Sequence, residues 1–365
     1  MNERLVSLDA FRGITIAGMI LVNNPGSWST VYAPLLHAPW HGWTPTDFIF
    51  PFFLFIVGVS MAFSLPRQQE KLSTAQLYQK IGRRTLILFG LGLFLAAFPF
   101  FKLDTLRIPG VLQRIAVVYL CASVIVLHTG VRGQVGWFAG LLLGYWAAMT
   151  LIAVPGYGAG DLSIEGNLAA FVDSNLLSGH MWKKTWDPEG ILSTIPAIAT
   201  TLSGVLTGHF LKSKNERATI AGWLFVSGWL AVLAGLFWAI LFPLNKALWT
   251  SSYVVFTTGA ALQFLAFCYF LIDVKGIKAW AKPAIVYGMN AIAVFVLSGV
   301  LARILIFTKV PSGSESISLK SWIYNNLFLS WADPINASLA FAFVNVLFWL
   351  AAMWFLYNRK IFIKI

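Results

Sequence analysis

Ten long apolar runs constrain the fold of this chain more than any other feature of its sequence. Each run has roughly the 20 residues that an α-helix needs to cross the hydrocarbon core of a bilayer. Because every backbone polar group in lipid must be hydrogen-bonded internally, runs of this length predict helices. The sequence therefore predicts an all-α integral membrane protein, with about ten transmembrane helices in one bundle. The runs lie at about residues 8–24, 45–65, 80–100, 109–129, 133–154, 191–211, 217–242, 252–272, 284–307 and 336–357.

The composition excludes a soluble protein. With 58% hydrophobic and 11% charged residues, the chain has too little polar surface to cover a soluble globule. No low-complexity stretch interrupts residues 1–365, which are predicted to form a single transmembrane domain. The first run contains Asp9 and Arg12 and lacks a small-residue cleavage site, which favours a retained helix over a signal peptide. Cys121 and Cys268 fall inside predicted helices, where they are expected to be small packing residues rather than a disulfide.

Lys and Arg residues are distributed unequally between the two sets of connecting segments. If both termini are cytoplasmic, 16 of them lie in cytoplasmic segments and seven lie outside, which is the asymmetry that the positive-inside rule favours. The net charge of +12 is then explained by a basic girdle that faces anionic lipid headgroups, and no nucleic-acid partner is expected. The three that remain after this count, Arg12, Arg114 and Arg303, lie within predicted helices.

Polar residues follow one face of the first predicted helix. Asp9, Arg12 and Asn23 are 3 and 11 residues apart, so at 100° per residue they lie within about 60° of one another. Polar groups are costly inside a membrane, and this stripe therefore suggests the wall of a functional cavity. The alternative is an Asp9–Arg12 pair that anchors the helix at the interface, with an asparagine that caps its end.

A second group of polar residues opens the fourth predicted helix, in "RIPGVLQRIAVVYL" (107–120). Arg107 and Arg114 share a face, and Gln113 lies beside it. A guanidinium at the depth of Arg114 is expected to meet a carboxylate or an anionic ligand. Asp47 is the nearest carboxylate by predicted depth, and a purely structural Asp47–Arg114 pair is the alternative to a functional site.

The connection after the first helix, residues 23–46, is rich in histidine and tryptophan. His37 and His41 have the i, i+4 spacing of metal ligands, but Pro39 and Gly42 disfavour a regular helix and no third ligand is nearby, so no metal is predicted. A histidine in this position has an unperturbed pKa near neutrality and suits acid–base or acyl-transfer chemistry. The alternative is an interfacial aromatic belt in which the histidines have no function.

Seven segments with recognisable motifs lie in order over nearly the whole chain. They are "RLVSLDAFRG" (4–13), "VNNPG" (22–26), "HAPWHGWTPTDFIFPFFLFIVGVS" (37–60), "RIPGVLQRIAVVYL" (107–120), "WDPEGILSTI" (186–195), "PLNKALWTSSYV" (243–254) and "YGMNAIAVF" (287–295). Together they resemble the heparan-α-glucosaminide N-acetyltransferase family. The resemblance implies a membrane enzyme that uses cytosolic acetyl-CoA to acetylate a terminal glucosamine on the other side of the membrane, which for a bacterial member is the cytoplasmic (inner) membrane. His41 and Ser298 depart from the family pattern, which has asparagine and histidine there, so the amino-sugar acceptor is not fixed.

The resemblance also assigns roles to individual residues. His37, the first histidine of the family's H-A-x-W-x-G motif, is the active-site residue, and Asn23 of the V-N motif is its partner. By their chemistry, His37 can act as a base or as an acetyl relay, and Asn23 can donate a hydrogen bond to a developing oxyanion. Asp47 can orient His37 or pair with Arg114.

The donor is expected to lie in a slot along the polar face of the first helix. The slot would expose the pantetheine arm of acetyl-CoA to the outer side while its phosphates stay at the cytoplasmic end. The residues expected to contact acetyl-CoA are Arg12, Gln113, Arg114, Arg83, Arg84 and Lys275.

The rival hypothesis is a secondary transporter made of two inverted five-helix halves. The histidine and tryptophan motif occurs only in the first half, and no matching pair of interrupted helices is evident in the sequence, which disfavours transport. A purely structural membrane protein leaves Asn23, His37, Asp47 and Arg114 unexplained. The sequence leaves open whether the acetyl group passes through an acetyl-histidine and whether the chain forms a homodimer.

Overall fold

The computed structural model describes residues 5–313 and 315–363, which fold into a helical bundle with two short hairpins. The helices are α1 (Val6–Asn23), α2 (Ile49–Gln69), α3 (Thr74–Ala97), α4 (Val111–His128), α5 (Val131–Leu151), α6 (Leu168–Leu176), α7 (Thr194–Leu211), α8 (Arg217–Trp238), α9 (Ser251–Tyr269), α10 (Lys282–Met289), α11 (Ala291–Phe307), α12 (Leu319–Leu327) and α13 (Pro334–Asn358). The antiparallel hairpins pair β1 (Ala153–Val154) with β2 (Gly158–Ala159), and β3 (Lys309–Ser312) with β4 (Glu315–Ser318).

Nine of the ten predicted apolar runs each coincide with one helix, within about six residues at each end. In the described part of the chain, seven helices are long and apolar enough to cross a membrane, and the bent pair α10–α11 brings the number to eight. Helices α3 and α5 have 24 and 21 residues and are not among these seven. The prediction of an all-α, multi-pass membrane protein is confirmed, whereas the count of ten spans and the cytoplasmic termini stay predictions.

The run predicted as one helix at 284–307 is instead two helices, bent by 71° at Asn290. The break follows from the hydrogen bonds of the Asn290 side chain, which bind the C-terminal segment rather than the helix. Its amide donates to the carbonyl of Ile361 at 3.0 Å, and its oxygen accepts from the N–H of Ile363 at 2.8 Å. A single straight helix through this region was therefore the wrong prediction.

Close crossings between helices rest on glycines. In the α2–α7 crossing, a Cβ built on Gly58 would lie 1.9 Å from a backbone oxygen of α7, and one built on Gly204 would lie 2.0 Å from a backbone oxygen of α2. Gly13 of α1 meets the backbone of α10 in the same way, at 1.7 Å. Helices in lipid associate through close packing, and small residues allow it. These contacts fix α1 and α2, which flank the 24–48 connection, against the rest of the bundle.

Three connections meet at one end of the bundle, which we term the outer end: residues 24–48, 152–193 and 239–250. The N–H of Gly42 donates to the carbonyl of Leu244 at 2.8 Å, and Trp40 Nε1 donates to the carbonyl of Leu162 at 2.9 Å. The rings of Trp40 and Trp186 pack edge to face at 5.2 Å. Trp40 therefore joins the connections to one another, in addition to any role at a membrane interface. The opposite end, with residues 70–73 and 212–216, is termed the inner end.

Candidate active site

Asp47 holds His37 at the outer end. Thr44 precedes a short 3₁₀ turn, Pro45–Phe48, that leads into α2, and the Asp47 carboxylate caps this turn by accepting the N–H of Thr44 at 2.9 Å. The same Oδ2 accepts the N–H of Ala38 at 3.1 Å, while Oδ1 lies 2.7 Å from Nδ1 of His37. The Asp47 side chain is 1% exposed and that of His37 is 50% exposed. This geometry favours the tautomer with a proton on Nδ1, and leaves Nε2 as the basic nitrogen.

Lys246 is the third member of the cluster, and it comes from the 239–250 connection. Its Nζ lies 2.9 Å from Nδ1 and 3.1 Å from Nε2 of His37, and 3.7 Å from Oδ1 of Asp47. Burial lowers the pKa of Lys246, and the charges of Asp47 and Glu189 oppose this effect. An amine with a lowered pKa beside an imidazole can donate a hydrogen bond or change its protonation during a reaction. We term His37, Asp47 and Lys246 the histidine cluster.

His41 has a different environment from His37. Its Nδ1 lies 3.3 Å from the amide nitrogen of Asn245, which is fully buried, and burial lowers the pKa of His41. His41 therefore helps to hold the loop that carries Lys246. Within the described residues, no group of three or more His, Cys, Asp or Glu residues has the arrangement of a metal site. The prediction that no metal is bound stays a prediction.

An ion-pair network lies beside the histidine cluster. Arg107 binds both oxygens of Asp187, at 2.8 and 2.6 Å, and its Nη2 lies 2.5 Å from Oε2 of Glu189. Its guanidinium also packs over the ring of Trp182, at 5.2 Å from the ring centre. Burial lowers the pKa of Arg107, but the bonds to Asp187 and Glu189 outweigh this effect and raise it overall. Arg107 is therefore charged and is held in one position by its two carboxylate partners.

Arg114 does not pair with Asp47. Its guanidinium is buried, donates to the carbonyl of Gly190 at 3.1 Å and to the hydroxyl of Ser193, and packs over the ring of Trp249 at 5.1 Å. Of the two alternatives for Asp47, the pair with Arg114 is therefore not formed, and the contact with His37 is. Arg114 instead fixes the start of α7, and it lines neither of the two cavities described next.

Two cavities follow each other along the bundle. The inner cavity has a volume of about 340 Å³ and the outer cavity about 430 Å³. Both are lined by Val111, Leu112 and Phe295, which therefore form the partition between them. Arg12 and Arg84 line the inner cavity together with apolar side chains of α1, α2, α4 and α11. The outer cavity is lined by Met19, Asn23, Asn24, Gly92, Leu95, Ala96, Arg107, Pro109, Gly110, Val111, Leu112, Gln113, Met181, Trp182, Phe295, Ser298, Gly299, Ala302 and Arg303.

The residues predicted to bind the donor are thus only partly brought together. Arg12 donates to Ser60 at 2.9 Å and to Asp9 at 3.0 Å, so the Asp9–Arg12 pair exists and also faces the inner cavity. Arg83 is exposed and lines none of the described cavities, while Lys275 lies in a separate surface cavity of about 500 Å³.

Asn23 lies at the mouth of the outer cavity. It is exposed, and among the described residues no hydrogen bond joins it to His37 or Asp47. Gln113 is 5% exposed and fills the space beside Gly92 and Gly110, where a Cβ would lie 2.1 and 2.6 Å from its Oε1. The polar stripe of α1 therefore runs from the inner cavity, at Arg12, to the outer cavity, at Asn23.

Sequence reasoning missed Lys246, Arg107, Asp187 and Glu189 as site residues. All four fall in segments that resemble the family, "RIPGVLQRIAVVYL", "WDPEGILSTI" and "PLNKALWTSSYV". The signal was therefore present, but their pairing depends on contacts across 80 to 209 residues of sequence, which spacing does not reveal.

Comparisons with known proteins identify the family of the chain. The family model described as "Heparan-alpha-glucosaminide N-acetyltransferase, catalytic" matches residues 4–236, which include His37, Asp47, Arg107 and Asp187 but not Lys246. The chain is 30% identical over 434 aligned positions to heparan-alpha-glucosaminide N-acetyltransferase of Homo sapiens, and 28% identical over 422 positions to that of Mus musculus. The matches cover all of this chain and 60% and 61% of those proteins, so the chain spans about 60% of the length of these relatives. The chain belongs to the heparan-alpha-glucosaminide N-acetyltransferase family.

Proposed function

We propose that this protein is a transmembrane acetyltransferase. In this proposal it moves an acetyl group from cytoplasmic acetyl-CoA to the amino group of a glucosamine-type sugar on the extracytoplasmic side of a bacterial cytoplasmic membrane. The observation that carries the proposal is the histidine cluster, in which a buried carboxylate holds a half-exposed imidazole at the outer end. The names of the relatives support the reaction type.

The histidine cluster supplies the groups that acyl transfer to an amine needs. His37 Nε2 accepts a proton from the sugar amine as the amine nitrogen attacks the thioester carbonyl carbon. Asp47 keeps the proton on Nδ1 and stabilises the imidazolium that forms. When the C–S bond breaks, His37 returns the proton to the leaving thiolate. The products are the N-acetyl sugar and a thiol, so atoms and charges balance.

Two donors are suited to the developing oxyanion. The Lys246 ammonium lies within hydrogen-bond distance of His37, and the exposed Asn23 amide lies at the outer cavity. Preorganised donors of this kind typically contribute 10²–10³-fold to turnover. Because Lys246 also contacts Nε2 in the free protein, the substrate amine must displace it before His37 can act as the base. A covalent acetyl-histidine on Nε2 is the alternative route, and it requires the same displacement.

The inner cavity suits the acyl donor. Its apolar walls fit a pantetheine arm, and its two cations, Arg12 and Arg84, fit the polar end of the donor. The Nε of Arg84 is buried and has no hydrogen-bond partner, while its guanidinium packs over Tyr119 at 4.6 Å. An unpaired buried donor of this kind is costly unless a ligand binds it. Arg83, one residue earlier at the inner end, would meet the phosphates.

Purified protein in detergent micelles tests the proposal. Incubation with labelled acetyl-CoA and a panel of amino sugars should give labelled N-acetyl sugar without a sealed bilayer. A secondary transporter, the rival hypothesis, would form no product in micelles and would move label only across sealed vesicles. Absence of product with every amino sugar, in protein that binds acetyl-CoA, would contradict the proposal.

A further inference from the structure

Two cations among the described residues, Arg107 and Arg303, line the outer cavity, and the proposed chemistry gives no role to Arg303. It lies on α11 and shares a helical face with Phe295, Ser298, Gly299 and Ala302, all of which line the cavity. Its Nη1 donates to the carbonyl of Gly299, one turn earlier, at 3.0 Å. This bond satisfies one of the five guanidinium donors.

The charge of Arg303 is not balanced within the cavity. Among the described residues, no Asp or Glu lines the outer cavity, and no ion pair is formed by Arg303. The second cation, Arg107, differs in that Asp187 and Glu189 neutralise it. A partly buried guanidinium on a helix long enough to lie within a membrane is costly without a partner, and such residues mark ligand sites.

We propose that Arg303 binds an acidic group of the acceptor, so that the preferred acceptor is an amino sugar that carries a sulfate, phosphate or carboxylate. This inference rests on the proposed function and adds the substrate class to it. A cavity of about 430 Å³ lies within the range that binds small molecules, and guanidinium groups bind such oxyanions in a bidentate manner. The neutral polar residues Asn23 and Gln113 line the same cavity and are suited to sugar hydroxyl groups.

The position of the cavity fits this role. Arg107 forms part of its wall and binds Glu189, whose charge also acts on Lys246 of the histidine cluster. The outer cavity and the histidine cluster are therefore close enough for the charge of Glu189 to act on both Arg107 and Lys246. An acceptor whose acidic group lies at Arg303 would extend its amine toward the outer end of the bundle.

The test compares acceptors and variants. For the wild type, glucosamine 6-sulfate and muramic acid should have lower KM values than glucosamine. Arg303→Gln should raise the KM of the acidic acceptors about 10- to 100-fold, the value of one charged hydrogen-bonding contact, and should leave that of glucosamine within about twofold. For Arg303→Lys, the KM of the acidic acceptors should lie between the values for the wild type and for Arg303→Gln. The control is Lys309→Gln, which removes one positive charge from the exposed start of β3 outside the cavity and should change no KM.

A binding measurement separates this inference from the proposed function. Inorganic sulfate should raise the Tm of the wild type and of Lys309→Gln in detergent, but not that of Arg303→Gln, and this readout needs no turnover. The inference is overturned if Arg303→Gln raises the KM of acidic and neutral acceptors by the same factor. It is also overturned if sulfate raises the Tm of Arg303→Gln as much as that of the wild type. It is also overturned if the variant raises the KM of acetyl-CoA instead, because the anion at Arg303 would then belong to the donor. Sulfate protection that depends on Arg303, without acetylation of any sugar, would retain the anion site and refute the acetyltransferase.

Discussion

At the scale of single residues, hydrogen bonding separates the two histidines of the 24–48 connection. His37 is half-exposed and is held by the buried Asp47, whereas His41 contacts the amide of Asn245. A histidine with a carboxylate on one nitrogen has the geometry of a general base once Lys246 leaves the other nitrogen. The aromatic-belt alternative accounts for the tryptophans but not for this carboxylate, which also caps the turn before α2.

The first prediction concerns these two histidines. His37→Ala should lower acetyl transfer by at least about 10²-fold, because the base is removed, and should change Tm little, because the side chain is half-exposed. His41→Ala is the matched control in the same loop and should retain most of the activity. Rates and Tm values of the two variants in detergent give the comparison. A larger loss of activity in His41→Ala than in His37→Ala would refute the assignment.

The second prediction concerns Lys246. Its removal in Lys246→Met should lower kcat by about 10²–10³-fold if it donates to the oxyanion. Lys183→Met, which removes a lysine from an exposed position of the 152–193 connection, should be neutral.

The pH profile gives a second readout for Lys246. Burial lowers its pKa from 10.5, so the ammonium is lost at a lower pH than in an ordinary lysine, and activity should fall as pH rises through that lowered value. Lys246→Arg keeps its charge at high pH, so this alkaline limb should disappear. An alkaline limb that is the same in Lys246→Arg and the wild type would show that another group causes it.

At the scale of elements, close backbone contacts set the position of the site. Helix α2 begins directly after Asp47 and crosses α7 through Gly58 and Gly204, so the crossing determines where the carboxylate lies. The bend between α10 and α11 similarly places Phe295, Ser298 and Arg303 along the cavities rather than in line with α10. Packed helices thus set the position of the site, whereas loops supply its two basic side chains, His37 and Lys246.

The third prediction tests the α2–α7 crossing. Gly204→Ala should lower Tm, because the new Cβ would lie 2.0 Å from the carbonyl oxygen of Phe55 and the helices must separate. Gly140→Ala on α5 is the matched control, since a Cβ there meets nothing within 4 Å. The control should be neutral or stabilised by up to about 1 kcal/mol through helix propensity. Equal Tm values for the two variants would contradict the close crossing.

At the scale of the whole molecule, the two successive cavities provide the arrangement that transfer across a membrane requires. The inner cavity extends from Arg84 to the partition at Val111, Leu112 and Phe295, and the outer cavity continues from there to Arg107 and Arg303. In the proposed reaction acetyl-CoA is too polar to cross a bilayer unaided, so we expect donor and acceptor to enter from opposite ends. Movement of the partition side chains would connect the two cavities.

The fourth prediction concerns orientation. In a background that lacks Cys121 and Cys268, a cysteine at Ser29, in the exposed part of the 24–48 connection, should react with an impermeant thiol reagent in intact cells. A cysteine at Asn215, exposed at the inner end, should react only after lysis. This predicted orientation rests on the excess of Lys and Arg in the connections at the inner end. Labelling of Asn215→Cys but not Ser29→Cys in intact cells would invert the topology and refute transfer from the cytoplasm.

The sequence by itself determined the class of fold and most of the helices, and it singled out the histidine of the candidate site. Apolar runs of membrane length admit only one backbone solution in lipid, so helix positions followed from hydropathy. His37 and Asp47 were identifiable because both lie in one continuous segment, 37–60, that resembles a known family.

Only the tertiary structure decided which polar groups meet. Asp47 could pair with His37 or with Arg114 at the level of sequence, and packing selected His37 and brought Lys246 from 209 residues away. Tertiary packing likewise decided the pairing of Arg107 with Asp187, the break at Asn290 and the position of the two cavities. Pattern and spacing encode local conformation and the face of a helix, whereas pairings between distant loops depend on how the helices cross, and those crossings exist only in the packed bundle.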